Sequence, residues 1–87
     1  MKFEYDPIKS DANLYKHGID FESAQYLWRD PNALQIQAKS DTEDRYALIA
    51  SIDTITWTAF FTYRRDTIRI ISVRRARDNE KRIYHES

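Results

Sequence analysis

RYALIASIDTITWTAFFTYRRDTIRIISVRR, residues Arg45 to Arg75, is the stretch whose reading decides the fold. Apolar and polar side chains alternate through it with a period of two, and β-branched and aromatic residues dominate, which is the signature of strands. Three strands follow from the breaks: Arg45–Ile52, Thr54–Tyr63 after a tight turn near Asp53, and Thr67–Arg75 after a turn at Arg65-Asp66. Connections this short join neighbours running in opposite directions, so the stretch predicts an antiparallel meander. Neither turn carries the glycine that mirror-type hairpins favour. On the middle strand Ile55, Trp57, Ala59, Phe61 and Tyr63 share one face, the one expected under helices, and Thr56, Thr58, Phe60, Thr62 and Arg64 share the other. On the last strand strict alternation would set Ile68, Ile70, Ser72 and Arg74 against Arg69, Ile71, Val73 and Arg75.

Working outward, Leu34, Ile36 and Ala38 alternate with Gln35, Gln37 and Lys39 and predict a fourth strand. Two helices are expected before it. Asp6-Pro7 supplies an N-cap oxygen and an N1 proline, and Ile8, Ala12, Tyr15 and Ile19 keep the spacing of a buried stripe that Gly18 terminates. Asp20 is the next N-cap, with Phe21, Ala24, Leu27 and Trp28 inward and Asp30-Pro31 as the stop. Lys2–Tyr5 reads as a short edge strand, and a last helix from about Asp78 to His85 would set Ile83 against the core. The prediction is one α+β domain over residues 1–87: two N-terminal helices on a four-stranded antiparallel meander, closed by a C-terminal helix.

Charge is distributed unevenly. Tyr63–Tyr84 holds eight Arg or Lys and three Asp or Glu, a balance of 8 − 3 = +5, whereas residues 1–62 hold six basic and ten acidic residues, or −4. A neutral whole, with 14 of each sign, therefore hides a basic pole on paired strands, which suits phosphate. With no cysteine, neither a disulfide framework nor a thiolate metal site exists. The N-terminus lacks the apolar run of a signal peptide and no stretch is long enough to span a bilayer, so the expectation is a soluble, cytoplasmic protein with no membrane partner.

Several segments together resemble the BrnT toxins of bacterial type II toxin–antitoxin systems. They are Phe3-Glu4-Tyr5-Asp6-Pro7 with Lys9, Asn13 with Lys16-His17-Gly18-Ile19, Phe21 and Ala24, Asp30-Pro31, and Arg69-Ile70-Ile71-Ser72-Val73-Arg74-Arg75-Ala76 with Glu80, Arg82 and Tyr84. The resemblance implies a RelE-like fold, a ribonuclease that arrests translation, and a cognate antitoxin of the BrnA type, helix-rich and DNA-binding. Tyr5 stands where that family usually has tryptophan, and Trp57 with Phe60-Phe61 enlarges the central strand.

The residues themselves are compatible with such chemistry. RNA cleavage by internal attack needs a base for the 2′-hydroxyl, cations for the phosphorane and an acid for the leaving oxygen. No Asp, Glu or His set has metal-ligand spacing, so the expected site uses no metal and no cofactor. Arg64 and Arg74 are the expected catalytic cations, because a guanidinium grips phosphate bidentately; the alternative is that they form pairs with Asp66, Asp78 or Glu80. His17 joins them because histidine is the side chain that titrates nearest neutrality, and Lys16 because it completes the family's Lys-His pair; either could instead serve the carbonyl end of its helix. Arg65, Arg69, Arg75, Tyr63 and Tyr84 are the expected substrate contacts, the tyrosines as proton carriers or stacking platforms; the alternative for each tyrosine is an amphipathic residue at the edge of the core, and for Tyr84 that alternative is the stronger. An antitoxin is expected to cover Arg64 and Arg74 together with Phe60 or Trp57. A second reading is a RelE-like interaction module without cleavage, working within a complex that binds DNA.

Overall fold

A computed structural model describes all 87 residues. The elements run β1 (Lys2–Glu4), α1 (Pro7–His17), α2 (Phe21–Ala24) continued by a 3₁₀ turn over Gln25–Arg29, β2 (Leu34–Ala38), β3 (Arg45–Ile52), β4 (Ile55–Arg64), β5 (Thr67–Arg75) and α3 (Asp78–Glu86). The α+β class and the meander of β2 to β5 are as expected. The sheet, however, has five strands in the order β1-β5-β4-β3-β2, and β1 runs parallel to β5, so it is mixed where a four-stranded antiparallel sheet was expected. Three residues on the outer edge of β5 suffice for that pairing, and the connection from β1 to β5 runs through both N-terminal helical segments and β2 to β4. The second helix is likewise shorter than its apolar spacing suggests, giving way to a 3₁₀ turn after Ala24.

The local signals act as their chemistry requires. Asp6 accepts the N–H of Ile8 at 2.9 Å and Asp20 that of Ser23 at 2.7 Å, while Gly18 closes α1 at φ 83°. The two glycine-free hairpins are two-residue turns whose first residues, Asp53 and Arg65, take the left-handed φ themselves at 56° and 59°. For a side chain such as arginine that conformation costs on the order of 1 kcal/mol, a strain the flanking ladders absorb.

Two expected facings are reversed. Ile8 and Tyr15, placed on the buried stripe of α1, are 79% and 93% exposed, and the residues that α1 turns inward are Ser10 and Asn13. The cause is the surface they meet. Beyond β1 the outer edge of β5 has no neighbouring strand, and the Asn13 amide takes that place, accepting from the Val73 N–H at 3.1 Å and donating to the Val73 carbonyl at 2.9 Å. Asn13 also donates to the Ile19 carbonyl, and Ser10 accepts the Phe21 N–H. A helix laid on an open strand edge needs polar atoms inward.

The second reversal is in β5. Ile71 is an extra residue opposite the Phe60/Phe61 step, since Phe60 pairs with Ser72 and Phe61 with Ile70. This bulge switches parity, so Ile68, Ile70 and Val73 all enter the core, and Arg74 shares the opposite face with Thr58 and Phe60. The core lies between the sheet and α2 with its 3₁₀ turn: Phe21, Ala24, Leu27, Leu48, Ala50, Ala59, Phe61 and Val73 are each at most 4% exposed. Each large side chain there contributes about 1.5–3 kcal/mol by its burial. α3 crosses the other face, and its inward residue is Tyr84; Ile83, expected to pack, is 41% exposed. Glu80 is anchored inward, and Tyr84 follows it by four residues on the same helical face.

Candidate functional site

The β4–β5 hairpin gives the basic segment two separate ends, and the bulge decides which face Arg74 takes. Arg64 pairs with Thr67 beside the β4–β5 turn, whereas Arg74 pairs with Thr58. Arg64 lies six residue steps along β4 from Thr58, a separation of about 20 Å at about 3.3 Å per residue. One phosphate cannot touch both guanidinium groups. Lys16 and His17 stay near the Arg74 end, because they lie within about one turn of Asn13, which is bonded to Val73. Of the four expected catalytic residues, Lys16 and His17 are exposed at the end of α1 with no hydrogen bond or ion pair to Arg74, Arg74 is turned to Glu80, and Arg64 stands at the turn.

The Arg74 end is built around a carboxylate. Arg74 donates through Nη1 to Glu80 Oε1 at 2.7 Å and through Nη2 to Oε2 at 2.9 Å, with the two side chains only 22% and 13% exposed. Glu80 Oε1 also accepts from Thr58 Oγ1 at 3.0 Å and from the Arg77 N–H at 2.8 Å, closing the first turn of α3. The Arg74 hydrogen bonds, followed by burial acting against them and the bonds from Arg77 and Thr58, hold the Glu80 carboxyl down to about 2. The Arg74 guanidinium also lies over the Phe60 ring at 5.2 Å. Glu80 is the site residue that sequence reading undervalued: it stood there only as one of three acidic alternatives for pairing the arginines and as part of the BrnT-like segment.

The other expected contacts divide. Arg64 and Arg65 are exposed, and neither makes a salt bridge or side-chain hydrogen bond. Tyr63 is 47% exposed and donates its hydroxyl to Gln35 at 3.0 Å. Arg69 is held by Glu4 at 2.7 Å, and Arg75, on the helix-covered face, stacks over Trp57 at 5.5 Å. Trp57 is 6% exposed and Tyr84 9%, so neither presents a free surface to RNA or to a partner. Tyr84 gives its hydroxyl to Asp30 Oδ2, and this hydrogen bond raises the phenol above its ordinary value. Burial pushes the Asp30 carboxyl up, yet bonds from Tyr84, the Ser51 N–H and the Asn32 N–H outweigh it and leave the acid below its ordinary range. Asp30, read from sequence only as a helix stop, is a hub joining α3 to β3. No group of three or more His, Cys, Asp or Glu is gathered as a metal site, and no helix is long and apolar enough to cross a membrane.

The fold is an α+β domain of no net charge whose mixed sheet carries a basic pole, with a part-buried ion pair at one end and unpaired arginines at the other. The family model for the ribonuclease toxin BrnT of type II toxin–antitoxin systems matches residues 5–80, and the chain belongs to that family. The comparison with curated proteins finds no match.

Proposed function

We propose that this chain is a cytoplasmic endoribonuclease that cleaves RNA without metal and so stops translation, and that a helix-rich, DNA-binding antitoxin of the BrnA type neutralises it. The observation that carries this reading is the family match across 76 of 87 residues, from 80 − 5 + 1. In the reaction a base removes the 2′-hydroxyl proton, the oxygen attacks the adjacent phosphorus, and the 5′-oxygen leaves with a proton from an acid, so atoms balance without an external reagent. His17 and Lys16 are the proton-handling candidates and Arg74 the cation that meets the phosphorane, while Arg64, Arg65 and Tyr63 hold the strand at the far end. Arg69 lies between the two ends on the same face, whereas Arg75 lies beyond Arg74 on the opposite face and serves the strand only if it passes over that edge. An antitoxin that covers both ends has to reach about 20 Å, the length of a helix of about 13 residues.

One observation favours the second reading, a non-cleaving interaction module in a DNA-binding complex: Arg74 is already committed to Glu80, whose carboxylate at about 2 is too acidic to serve as a base at neutral pH. Two measurements decide. Induced alone in bacteria, the protein is expected to halt growth while messenger RNA decays, and purified protein is expected to cut RNA in excess EDTA. Normal growth with folded, full-length protein accumulating selects the interaction module, and cleavage abolished by EDTA removes the metal-free route.

A further inference from the structure

The molecule has a cleft of about 460 Å³ between the start of β1 and the α2–3₁₀ segment, away from the Arg74–Glu80 pair. Its size falls in the range of small-ligand sites, about 300–1,000 Å³. Phe3, Tyr26 and Trp28 supply aromatic surface, and Glu22, Gln25 and Arg29 supply an acceptor, an amide that both donates and accepts, and a fixed donor fork. Phe3 and Trp28 meet edge to face at 5.1 Å, and Trp28 continues through Phe61 to Tyr63, with centroids 5.1 and 5.5 Å apart. Tyr26 is 56% exposed, with the Arg29 guanidinium over its ring at 4.8 Å. Phe3 and Trp28 also pack against the core, but Tyr26 and Arg29 stand in solvent and core packing does not account for them.

The cleft also opens at the end of the sheet where the free cations are. Lys2, which lies between the cleft residues Met1 and Phe3, forms one row with Thr67 and Arg64 across β1, β5 and β4, so the cleft and Arg64 share one end of the sheet about 10 Å apart, with Phe3 and Arg64 on opposite faces. Aromatic faces with mixed hydrogen-bonding groups, at the same end of the sheet as unpaired arginines, are what an unstacked base on a phosphate strand requires. We infer that this cleft receives a nucleobase of single-stranded RNA, with Arg29 at the cleft and Arg64 and Arg65 meeting phosphates farther along the strand, around the same end of the sheet. The inference rests on the ribonuclease reading and adds to it a recognition subsite at the end of the molecule opposite Arg74.

The test uses intact protein carrying Trp57→Phe, so that Trp28 is the sole tryptophan, and a short single-stranded oligonucleotide whose 2′-O-methyl groups block internal attack. Binding is followed by anisotropy of a label on the oligonucleotide and, separately, by Trp28 fluorescence. Expected are quenching of Trp28 with the same midpoint as the anisotropy change, no quenching by a fully paired duplex, and affinity about tenfold lower for exposed-site variant Tyr26→Ala. Glu22→Gln is expected to change the preference among bases. A mononucleotide is expected to bind more weakly than the oligonucleotide, because it lacks the neighbouring phosphates; equal affinity would remove the strand from the proposal. Oligonucleotide binding with Trp28 silent and Tyr26→Ala unimpaired overturns the subsite and leaves the ribonuclease reading intact. Failure of wild-type protein to bind any single-stranded RNA overturns both.

Discussion

The two ends of the β4–β5 ribbon carry the same residue type in opposite states. At the turn, Arg64 and Arg65 project into solvent without partners; at the other end, Arg74 is locked by two hydrogen bonds to Glu80 and stacked on Phe60. The difference teaches that a run of arginines is not a uniform electrostatic surface. One end can exchange its water for a ligand at little structural cost, while the other is part of what fixes α3 to the sheet.

The largest expected effect therefore lies at the Arg74 end. Glu80→Ala leaves a half-buried guanidinium unpaired and removes the acceptor for Thr58 and the Arg77 N–H, so unfolding free energy should fall by about 2–4 kcal/mol. In a domain of this size that lowers the thermal midpoint by roughly 10 °C or more. Arg64→Ala should change it by less than about 0.5 kcal/mol. Equal thermal shifts in the two variants would abolish the distinction between the ends.

Acid should act at the same place. The Glu80 carboxyl is depressed from an ordinary 4.5 to about 2, so its stabilisation is complete above about 4.5 and is lost as pH falls toward 2. The difference between those values corresponds to an upper bound on the order of 3 kcal/mol. Urea unfolding between pH 5 and 2 should show a steep loss of stability, and Glu80→Gln should flatten that slope while lowering stability at pH 7. An unchanged slope in the glutamine variant would mean that the pair carries no linkage.

Smaller effects sharpen the functional side of the comparison. Arg64→Ala and Arg65→Ala should each weaken oligonucleotide binding several-fold and reduce its salt dependence, with thermal midpoints unmoved. Arg74→Lys keeps a charge but loses the bidentate fork, and should cost both stability and turnover. Tyr84→Phe removes one of three donors from Asp30 and should cost about 1 kcal/mol with RNA cleavage unaffected. Loss of cleavage in that variant at unchanged stability would give Tyr84 a direct part in the reaction.

Much of this molecule is written in local chemistry. The bounds of β3 and β5, the caps Asp6, Asp20 and Gly18, and the burial of Trp57, Ala59 and Phe61 all follow from period, propensity and capping, which act within a few residues. The basic pole and the resemblance to the BrnT toxins were legible for the same reason, being properties of residues in order. Tertiary structure decided what depends on a partner distant in sequence: the parallel seat of β1, the bulge at Ile71 that turns Arg74 to the face of α3, and the inward Asn13 that completes the edge of β5. It also decided that Arg74 and Arg64, ten residues apart in the chain, stand at opposite ends of the sheet. Periodicity predicts which residues share a face only while the ladder is regular and the facing surface is apolar, and here a single extra residue and an open strand edge break those conditions.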